Sequence, residues 1–303
     1  MKKISKNLAE LIKKSPAVKK QFFCGLNPVC NDSNDPLQED SKYLKTKGLI
    51  HKYPKRALIM LSKKCGAYCS FCSRKRFQNE IENYSTSRED ISKMAEYIRT
   101  APDINEIILS GGDPLLSDNL DYAIKTFSKI PQIKIIRIHT RAILSDPDAF
   151  NENFFESLKK SQKTIYISFH INHPDELTPI AKKIINECRE NHIIVLTQTV
   201  FLKGINDSAQ ILEKLFCSLS ELGAIPYYIH RCDKVKGLEN FIVPIEKEIE
   251  IMTKLQAKLS GIALPKHVID TPFGYGKIPV PQNFWEFDKK EFKDYKGKKY
   301  QMY

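Results

Sequence analysis

The stretch that decides the fold is EIILSGGDPLLSDNLDYAIKTFSKIPQIKIIRIH, residues 106–139. It starts with a short apolar run at 106–109, continues through an amphipathic segment at 120–129 and ends in a second apolar run at 134–139. The branched residues of the two runs predict strands, and the spacing of apolar residues between them predicts a helix. A strand, a helix and a second strand within about 30 residues are typical of a parallel βαβ unit.

The same alternation extends in both directions from this unit. Strand-like runs lie at 57–61, 106–109, 134–139, 164–170, 193–199 and 226–230, and helix-like segments at 89–99, 120–129, 149–160, 179–191, 209–222 and 246–259. Six such units predict either an incomplete barrel or a doubly wound sheet, since a closed barrel needs two more. In both architectures the chemistry belongs at the carboxyl ends of the strands. A further short helix is predicted at 6–14, where the apolar residues share one side.

The composition limits the class of protein. The chain has 303 residues, of which 42% are hydrophobic and 10% aromatic, so it can build a large core and does not fit a disordered chain. No segment approaches the roughly 20 apolar residues of a membrane helix, and the lysine-rich N-terminus lacks the apolar stretch of a secretory signal. We therefore expect a cytoplasmic protein with no membrane partner.

The net charge of +12 comes mainly from lysines, which are scattered along the chain and concentrated at its two ends. Such a surplus accompanies nucleic-acid binding in some proteins, but scattered terminal lysines are more often a solvated surface. We therefore expect no nucleic-acid partner. A zinc-stabilised nucleic-acid-binding protein is the alternative, and it depends on what the cysteines bind.

Three of the eight cysteines form the pattern Cys65-x-x-x-Cys69-x-x-Cys72, directly after the first predicted strand. Thiolates hold iron-sulfur clusters, and three of them leave one iron of a four-iron cluster open to another ligand. A zinc site needs a fourth ligand, usually from a second close pair, and the nearest candidates, Cys30 and His51, lack that spacing. The remaining cysteines, which we expect to be ordinary reduced thiols, are Cys24, Cys30, Cys188, Cys217 and Cys232.

Polar residues stand at the ends of several predicted strands. His139, His170, Gln198 and Asp233 each end or follow a strand, so we expect all four at one mouth of the sheet. The segment Ser110-Gly111-Gly112-Asp113 ends the second strand. Paired glycines there allow close approach of a ligand to the backbone, although a plain strand-to-loop turn also explains them.

Two further segments carry candidate cofactor groups. Residues 51–56, HKYPKR, are basic and suit a phosphate, with a solvated run of charge as the alternative. Residues 270–279 form a loop rich in glycine and proline that holds one lysine, Lys277. A lysine in such a loop suits a Schiff base with an aldehyde cofactor, whereas in a lysine-rich chain an exposed surface lysine is the simpler alternative.

Seven motifs that include these segments occur in one order with characteristic spacing. They are HKYPKRALIMLSKKCGAYCSFCSRKR, EIILSGGDPLL, IRIHTRA, FHINHPDELT, TQTVFLKGIND, PYYIHRCDKVKG and VIDTPFGYGKIPVP. Together they resemble the lysine 2,3-aminomutase family of radical S-adenosyl-L-methionine (SAM) enzymes, and the resemblance covers roughly residues 34–282. The family includes the enzyme that makes β-lysine for the modification of bacterial elongation factor P.

The resemblance implies three cofactors. Cys65, Cys69 and Cys72 match the ligands of a 4Fe-4S cluster whose open iron binds SAM, and Lys277 matches the lysine that carries pyridoxal 5'-phosphate (PLP). The residues that match SAM contacts are Gly111, Gly112, Asp113, His170 and Gln198. The residues that match PLP contacts are Tyr53, Arg56 and Lys52, the last standing where the family often has arginine.

The resemblance also implies a substrate and a reaction. Arg74 matches the residue that pairs with the carboxylate of the amino acid, and Asp233 and Asp270 match the two carboxylates that receive the side-chain ammonium of lysine. A buried cation needs negative charge nearby, so this pair favours L-lysine over glutamate and leaves arginine as an alternative. The implied reaction interconverts L-α-lysine and β-lysine through a 5'-deoxyadenosyl radical and a 1,2-migration of the amino group on PLP.

The family resemblance sets the remaining expectations. The fold becomes an incomplete (β/α)6 TIM-like barrel at 51–282, with an N-terminal helical or irregular extension at 1–50 and a lysine-rich C-terminal tail at 283–303. The expected partners are an electron donor and further copies of the chain, as a dimer or larger homo-oligomer. Phe273 and Tyr275 stand where relatives carry glycines, and because no cysteine follows Cys232, we expect no structural zinc.

Overall fold

The centre of the molecule is a ten-stranded sheet whose strands are neighbours in chain order. A computed structural model describes residues 4–23, 35, 37–74, 76, 85–271 and 276–302. The strands of this sheet, β1 to β10, are Leu44–Thr46, Leu49–Tyr53, Arg56–Ser62, Glu106–Gly111, Ile135–Thr140, Thr164–His170, Ile194–Val200, Ile225–His230, Lys266–Asp270 and Lys277–Pro279.

Strands β3 to β9 run parallel, and antiparallel strands flank them on both sides. β1 and β10 stand at opposite ends of the strand order, so the described sheet does not close on itself. This architecture confirms the predicted incomplete barrel. The structure adds a seventh parallel strand, β9, which we did not predict because its sequence, KHVID, contains only two consecutive branched apolar residues.

Helices cover the sheet between successive parallel strands. Helices α1 to α9 are Lys6–Lys14, Pro16–Lys20, Arg88–Thr100, Leu120–Ser128, Ala142–Ser145, Glu152–Lys160, Pro179–Glu190, Ala209–Glu221 and Ile245–Gln256. The short 3-10 helices are Pro114–Leu116, Pro147–Ala149, Pro174–Glu176, Glu239–Phe241 and Phe287–Lys289. The seven helices predicted from the sequence are present. Helices α2 and α5 were not predicted, because they are too short to show a helical repeat of apolar residues.

Helix α3 shows why these segments are helical. Ser87 and Asp90 form a reciprocal capping box at its start, which satisfies two backbone N–H groups that have no partner within the helix. Ile91, Met94 and Ile98 follow at spacings of three and four residues and are completely buried. The apolar side of the helix therefore faces the sheet, as its periodicity predicts.

The N-terminal helices pack against the barrel beside the cysteine motif. Leu8 of α1 and Val18 of α2 are completely buried. Ser15, between the two helices, donates a hydrogen bond of 2.6 Å to Asp175, which lies just beyond β6. These contacts bring Gln21, at the end of α2, to the loop that carries the cysteines.

The C-terminal segment forms a small sheet of its own. Strands β11 (Trp285–Glu286), β12 (Glu291–Lys293) and β13 (Lys299–Gln301) pair antiparallel. Lysine-rich composition alone did not indicate these strands. None of the helices in the described ranges is long and apolar enough to cross a membrane.

Candidate active site

One cavity extends from the carboxyl ends of the parallel strands to the β2–β3 turn, at the amino end of β3, and collects nearly all the candidate residues. Those that line it are Lys52, Tyr53, Arg56, Cys65, Cys69, Cys72, Arg74, Gly111, Gly112, His170, Gln198, Asp233, Asp270 and Lys277. His139 also lines it, so the four polar residues at strand ends share one mouth, as the strand order predicts. The clustering of these four residues follows from the fold, since parallel strands present their carboxyl ends on one side.

The three motif cysteines lie in the loop after β3. Cys69 is buried, and Cys65 and Cys72 are half-buried and face the cavity. Burial raises the pKa of all three thiols, that of Cys72 to about 11, so metal binding must displace their protons. No three His, Cys, Asp or Glu side chains among the described residues converge on one metal ion. The thiolates of a cluster bind different irons, so they need not converge in that way.

The paired glycines at the end of β4 pack against the cysteine loop. A Cβ on Gly111 would lie 2.4 Å from the Ser62 carbonyl oxygen, and one on Gly112 would lie 2.2 Å from that of Lys64. Gly112 N–H donates to the Ser62 carbonyl oxygen at 2.6 Å. We predicted that the glycines allow close approach of a ligand. In the structure, the group that approaches them closely is the backbone that carries the cysteines.

Asp113 lies behind the cavity surface and is only 1% exposed. Its carboxylate accepts hydrogen bonds from the Thr140 hydroxyl at 2.8 and 2.9 Å and from the Arg141 N–H at 2.8 Å. Burial raises the pKa of Asp113 to about 6. The carboxylate thus ties the end of β4 to the end of β5, and it faces these groups rather than the cavity.

A basic and aromatic group at the β2–β3 turn forms one end of the cavity. Tyr53 and Arg56 are paired across the turn, and the guanidinium lies 3.8 Å from the centre of the tyrosine ring. Lys52 Nζ lies 5.2 Å from the same ring. Among the described residues, the buried Tyr53 hydroxyl has no hydrogen-bond partner. The turn therefore presents positive charge and a free hydroxyl, which suit a phosphate group.

His170 and Gln198 are paired in register on β6 and β7, and both line the cavity. His170 Nε2 lies 3.1 Å from Asn172 Oδ1, and the His170 ring packs 5.4 Å from that of Phe71. Burial, and then the charge of Arg141, hold the pKa of His170 well below its ordinary value. His170 is therefore neutral at physiological pH and can both donate and accept a hydrogen bond.

Arg74 is held by an acidic partner that sequence reasoning missed. Its Nε and Nη2 donate to the two carboxylate oxygens of Glu39 at 2.8 and 2.9 Å, and Nη1 donates to Ser110 Oγ at 3.2 Å. Burial opposes the ionisation of Glu39, but the pairing with Arg74 outweighs it and lowers the Glu39 pKa. Glu39 thus fixes one edge of the guanidinium and leaves the Nη1 end towards the cavity.

Lys277 and Asp270 face each other across the antiparallel pair β9–β10. Lys277 Nζ donates to both oxygens of Asp270, at 2.7 and 2.5 Å, and His230 Nδ1 lies 3.4 Å from the same carboxylate. Burial opposes the ionisation of Asp270, but His230 and the Lys277 ammonium hold its pKa far below the ordinary range. Burial, and then the charge of Asp270, raise the pKa of Asp233 to about 7.

Replacing Asp233 with asparagine should raise the melting temperature of the cofactor-free protein, with a larger gain at about pH 8 than at about pH 5.5. Folded Asp233 keeps its proton up to about pH 7, whereas the unfolded residue releases it near 3.8. Folding therefore becomes less favourable as the pH rises between these values, and the asparagine variant lacks this cost. Calorimetry at both pH values measures the gain. An equal gain at both would show that the buried charge is not its source.

Comparison with known proteins identifies the family. Residues 59–215 match the family model of the radical SAM superfamily. The L-lysine 2,3-aminomutase of Acetoanaerobium sticklandii is 35% identical over 261 residues, which are 86% of this chain and 62% of that enzyme. That of Fusobacterium nucleatum is 39% identical over 251 residues, which are 82% and 58% of the two chains. That of Buchnera aphidicola is 35% identical over 255 residues, which are 84% and 74%.

The chain belongs to the lysine 2,3-aminomutase family. It spans 62% of the length of the Acetoanaerobium sticklandii relative. Among solved structures, Streptococcus suis SuiB bound to S-adenosylmethionine superimposes with a TM-score of 0.54 at 15% identity, covering 72% of this chain and 51% of SuiB. At that identity the likeness shows the shared fold alone. The family model and the aminomutase relatives confirm the resemblance indicated by the seven motifs.

Radical SAM enzymes use a 4Fe-4S cluster and SAM, and the lysine 2,3-aminomutase family also uses PLP. The described residues fit these groups. The thiols of Cys65, Cys69 and Cys72 form no disulfide, and no disulfide occurs among the other described cysteines. The Tyr53 hydroxyl, which has no hydrogen-bond partner within the described ranges, and the stacked Arg56 suit the phosphate of PLP, and Lys277 lines the same cavity.

Several cavity residues of this lysine 2,3-aminomutase family member were missed in the sequence. Arg141 directly follows β5 and His230 ends β8, so the strand-end rule that selected His139 and Asp233 also applies to them. Glu39 lies in a polar loop and gives no local signal. Two sets of sequence expectations fall outside the described residues. They concern Phe273 and Tyr275, which stand where relatives carry glycines, and the expected reduced thiols Cys24 and Cys30.

Proposed function

We propose that the chain is an L-lysine 2,3-aminomutase, an isomerase that moves the α-amino group of L-lysine to Cβ and yields β-lysine. The observation that carries this proposal is the charge arrangement in the cavity. A guanidinium, Arg74, lies on its wall, together with two carboxylates: Asp233, in the segment that follows β8, and Asp270, the last residue of β9. An amino acid with a cationic side chain complements this arrangement.

Arg74 would bind the substrate carboxylate through its Nη1 end, because Glu39 already engages the Nε edge. Asp270 now pairs with the ammonium of Lys277. The same carboxylate would pair with the side-chain ammonium of the substrate. Asp233 adds a second negative charge above pH 7, given its pKa of about 7.

When bound, the cluster and SAM supply the radical that removes a hydrogen atom, and PLP holds the migrating amino group. The chain places these groups and keeps water from the reacting atoms. Cys65, Cys69 and Cys72 would hold the cluster, and Lys277 would bind PLP covalently. Gly111, Gly112, His170 and Gln198 would contact SAM, while Lys52, Tyr53 and Arg56 would hold the PLP phosphate. Asp113 would support this surface from behind, through Thr140 and Arg141.

Anaerobic turnover tests the proposed function directly. The protein is reconstituted with iron, sulfide and PLP, mixed with SAM, a reductant and L-lysine, and examined by mass spectrometry for β-lysine. Formation of β-lysine supports both the reaction and the substrate. Turnover of arginine or glutamate without lysine would overturn the substrate assignment, and a colourless protein with one bound zinc would overturn the reaction.

At about pH 8, where Asp233 is ionised, replacing Asp270 or Asp233 with asparagine should raise the KM for lysine roughly tenfold or more, because each change removes negative charge that balances a buried ammonium. Reductive cleavage of SAM in the absence of lysine should stay within about twofold of wild type. Asp288→Asn, on the exposed 3-10 helix near the C-terminus, is the matched control and should leave both quantities unchanged. An unchanged KM for lysine in both site variants would exclude the proposed ammonium site.

A further inference from the structure

Arg141 places a buried positive charge against the cysteine loop. The residue is 5% exposed, and its Nη1 donates a hydrogen bond to Cys69 Sγ at 2.6 Å. The guanidinium also lies 5.0 and 5.2 Å from the ring centres of Phe22 and Phe71. A guanidinium enclosed by two aromatic rings and a thiol has little access to water, so its electrostatic effect on the sulfur is weakly screened.

Two buried side chains fix the direction of this guanidinium. Nη2 donates to Gln21 Oε1 at 2.5 Å and lies 3.3 Å from both carboxylate oxygens of Glu176. Gln21 Nε2 in turn donates to Glu176 Oε1 at 2.6 Å. Gln21 and Glu176 are both completely buried. The pair therefore occupies one end of the guanidinium and aims the other end, Nη1, at Cys69.

The same contacts join three distant parts of the chain around the cysteines. Gln21 belongs to the N-terminal extension, and its carbonyl oxygen accepts a hydrogen bond of 2.8 Å from Ser70 N–H, inside the cysteine loop. Its side-chain oxygen accepts a second bond of 3.0 Å from Asn172, which also lies 3.1 Å from His170. Glu176 balances the charge of Arg141, and the Nη1 hydrogen bond brings that charge to a sulfur of the cysteine motif.

We propose that Arg141 is a positioning residue that raises the reduction potential of the 4Fe-4S cluster through its hydrogen bond to Cys69, and that Gln21 and Glu176 hold it there. Reduction adds one negative charge to the cluster. A hydrogen bond and a positive charge at a ligand sulfur stabilise the reduced form more than the oxidised form. This inference depends on the family cofactor and not on which amino acid the enzyme converts.

The test is a redox titration of the reconstituted cluster, followed by electron paramagnetic resonance, without SAM or substrate. In Arg141→Met, the ratio of reduced to oxidised cluster at a fixed potential should fall about tenfold, which is a shift of about 59 mV for a one-electron couple. Arg141→Lys keeps the charge but loses the planar guanidinium with its fixed N–H directions. Its ratio of reduced to oxidised cluster should therefore lie between those of wild type and Arg141→Met.

Glu176→Gln should shift the reduction potential of the cluster in the opposite direction, to a higher value. It keeps a hydrogen-bonding group of the same shape but removes the negative charge that partly neutralises Arg141, so the reduced fraction should increase. If the Arg141–Glu176 pair had only a structural role, the two variants would not shift the potential in opposite directions. Gln21→Ala should lower the reduced fraction by less than Arg141→Met. Arg99→Met, on the exposed side of α3, removes the same charge far from the cysteines and should leave the potential unchanged.

Iron and sulfide content and melting temperature establish that each variant is folded and loaded. A wild-type potential in Arg141→Met, or a decrease in Glu176→Gln, would overturn the proposal. Should Arg141→Met fail to assemble a cluster, the opposite shifts expected for Glu176→Gln and Arg141→Lys decide the question. Unaltered potentials in the variants would overturn this role of Arg141 whether or not β-lysine forms. Potentials that shift as expected in an enzyme that forms no β-lysine would support this role and count against the proposed function alone.

Discussion

Replacing Lys277 with alanine should lower the formation of β-lysine by roughly a thousandfold or more, because the covalent attachment of PLP depends on this amine. The visible absorption of protein-bound PLP should disappear, while iron and sulfide content stay at the wild-type level. This separation is expected because Lys277 lies on β10, whereas the cysteines lie in the loop after β3. Absorption spectra and metal analysis of the same sample measure both effects.

The matched control is Lys266→Ala, which removes a lysine from the exposed start of the neighbouring strand β9. It should retain both the absorption and the activity. If the PLP absorption persisted in Lys277→Ala, the cofactor would be bound to another lysine, and the ion pair with Asp270 would be a structural contact.

Replacing Cys72 with alanine should remove activity to a similar extent, since two thiolates cannot hold three irons of the cluster. Reconstituted protein should contain much less iron and sulfide and should not cleave SAM. Binding of PLP to Lys277 should survive, because that lysine belongs to a different strand. Iron analysis, sulfide analysis and the PLP absorption together provide the measurement.

Cys217→Ala is the control for this change. Cys217 lies on α8, outside the residues that line the cavity, and forms no disulfide. The variant should load a normal cluster. A Cys72→Ala protein that retained a full cluster and SAM cleavage would show that the third ligand is another residue.

The sequence predicts best what depends on neighbours in the chain. Strand β6 and helix α1 begin and end at the predicted residues, because apolar residues at a regular period mark each of them. The clustering of His139, His170, Gln198 and Asp233 also follows from strand order. These inferences need only periodicity and the direction of the strands.

Contacts between distant segments leave no such pattern. Arg141 and Gln21 are separated by 120 positions, and Arg74 and Glu39 by 35. Taken alone in the sequence, none of these polar residues indicates which distant residue it will contact. The glycines at 111 and 112 illustrate the same limit, since their close neighbours belong to residues 62–64, in another unit of the barrel. The sequence indicated that space was needed there without indicating what fills it.

Strand β10 carries Lys277 at the edge of the sheet, and within the described part of the chain it pairs with β9 alone, through three residue pairs. A segment with so few backbone hydrogen bonds opens more readily than strands held on both sides, and its amide hydrogens exchange with solvent sooner. A cofactor bonded to Lys277 and gripped at its phosphate by the β2–β3 turn would link this edge to the opposite end of the strand order. Cofactor binding would then slow amide hydrogen exchange at both margins of the sheet. Hydrogen–deuterium exchange measured by mass spectrometry would therefore report cofactor occupancy without a catalytic assay.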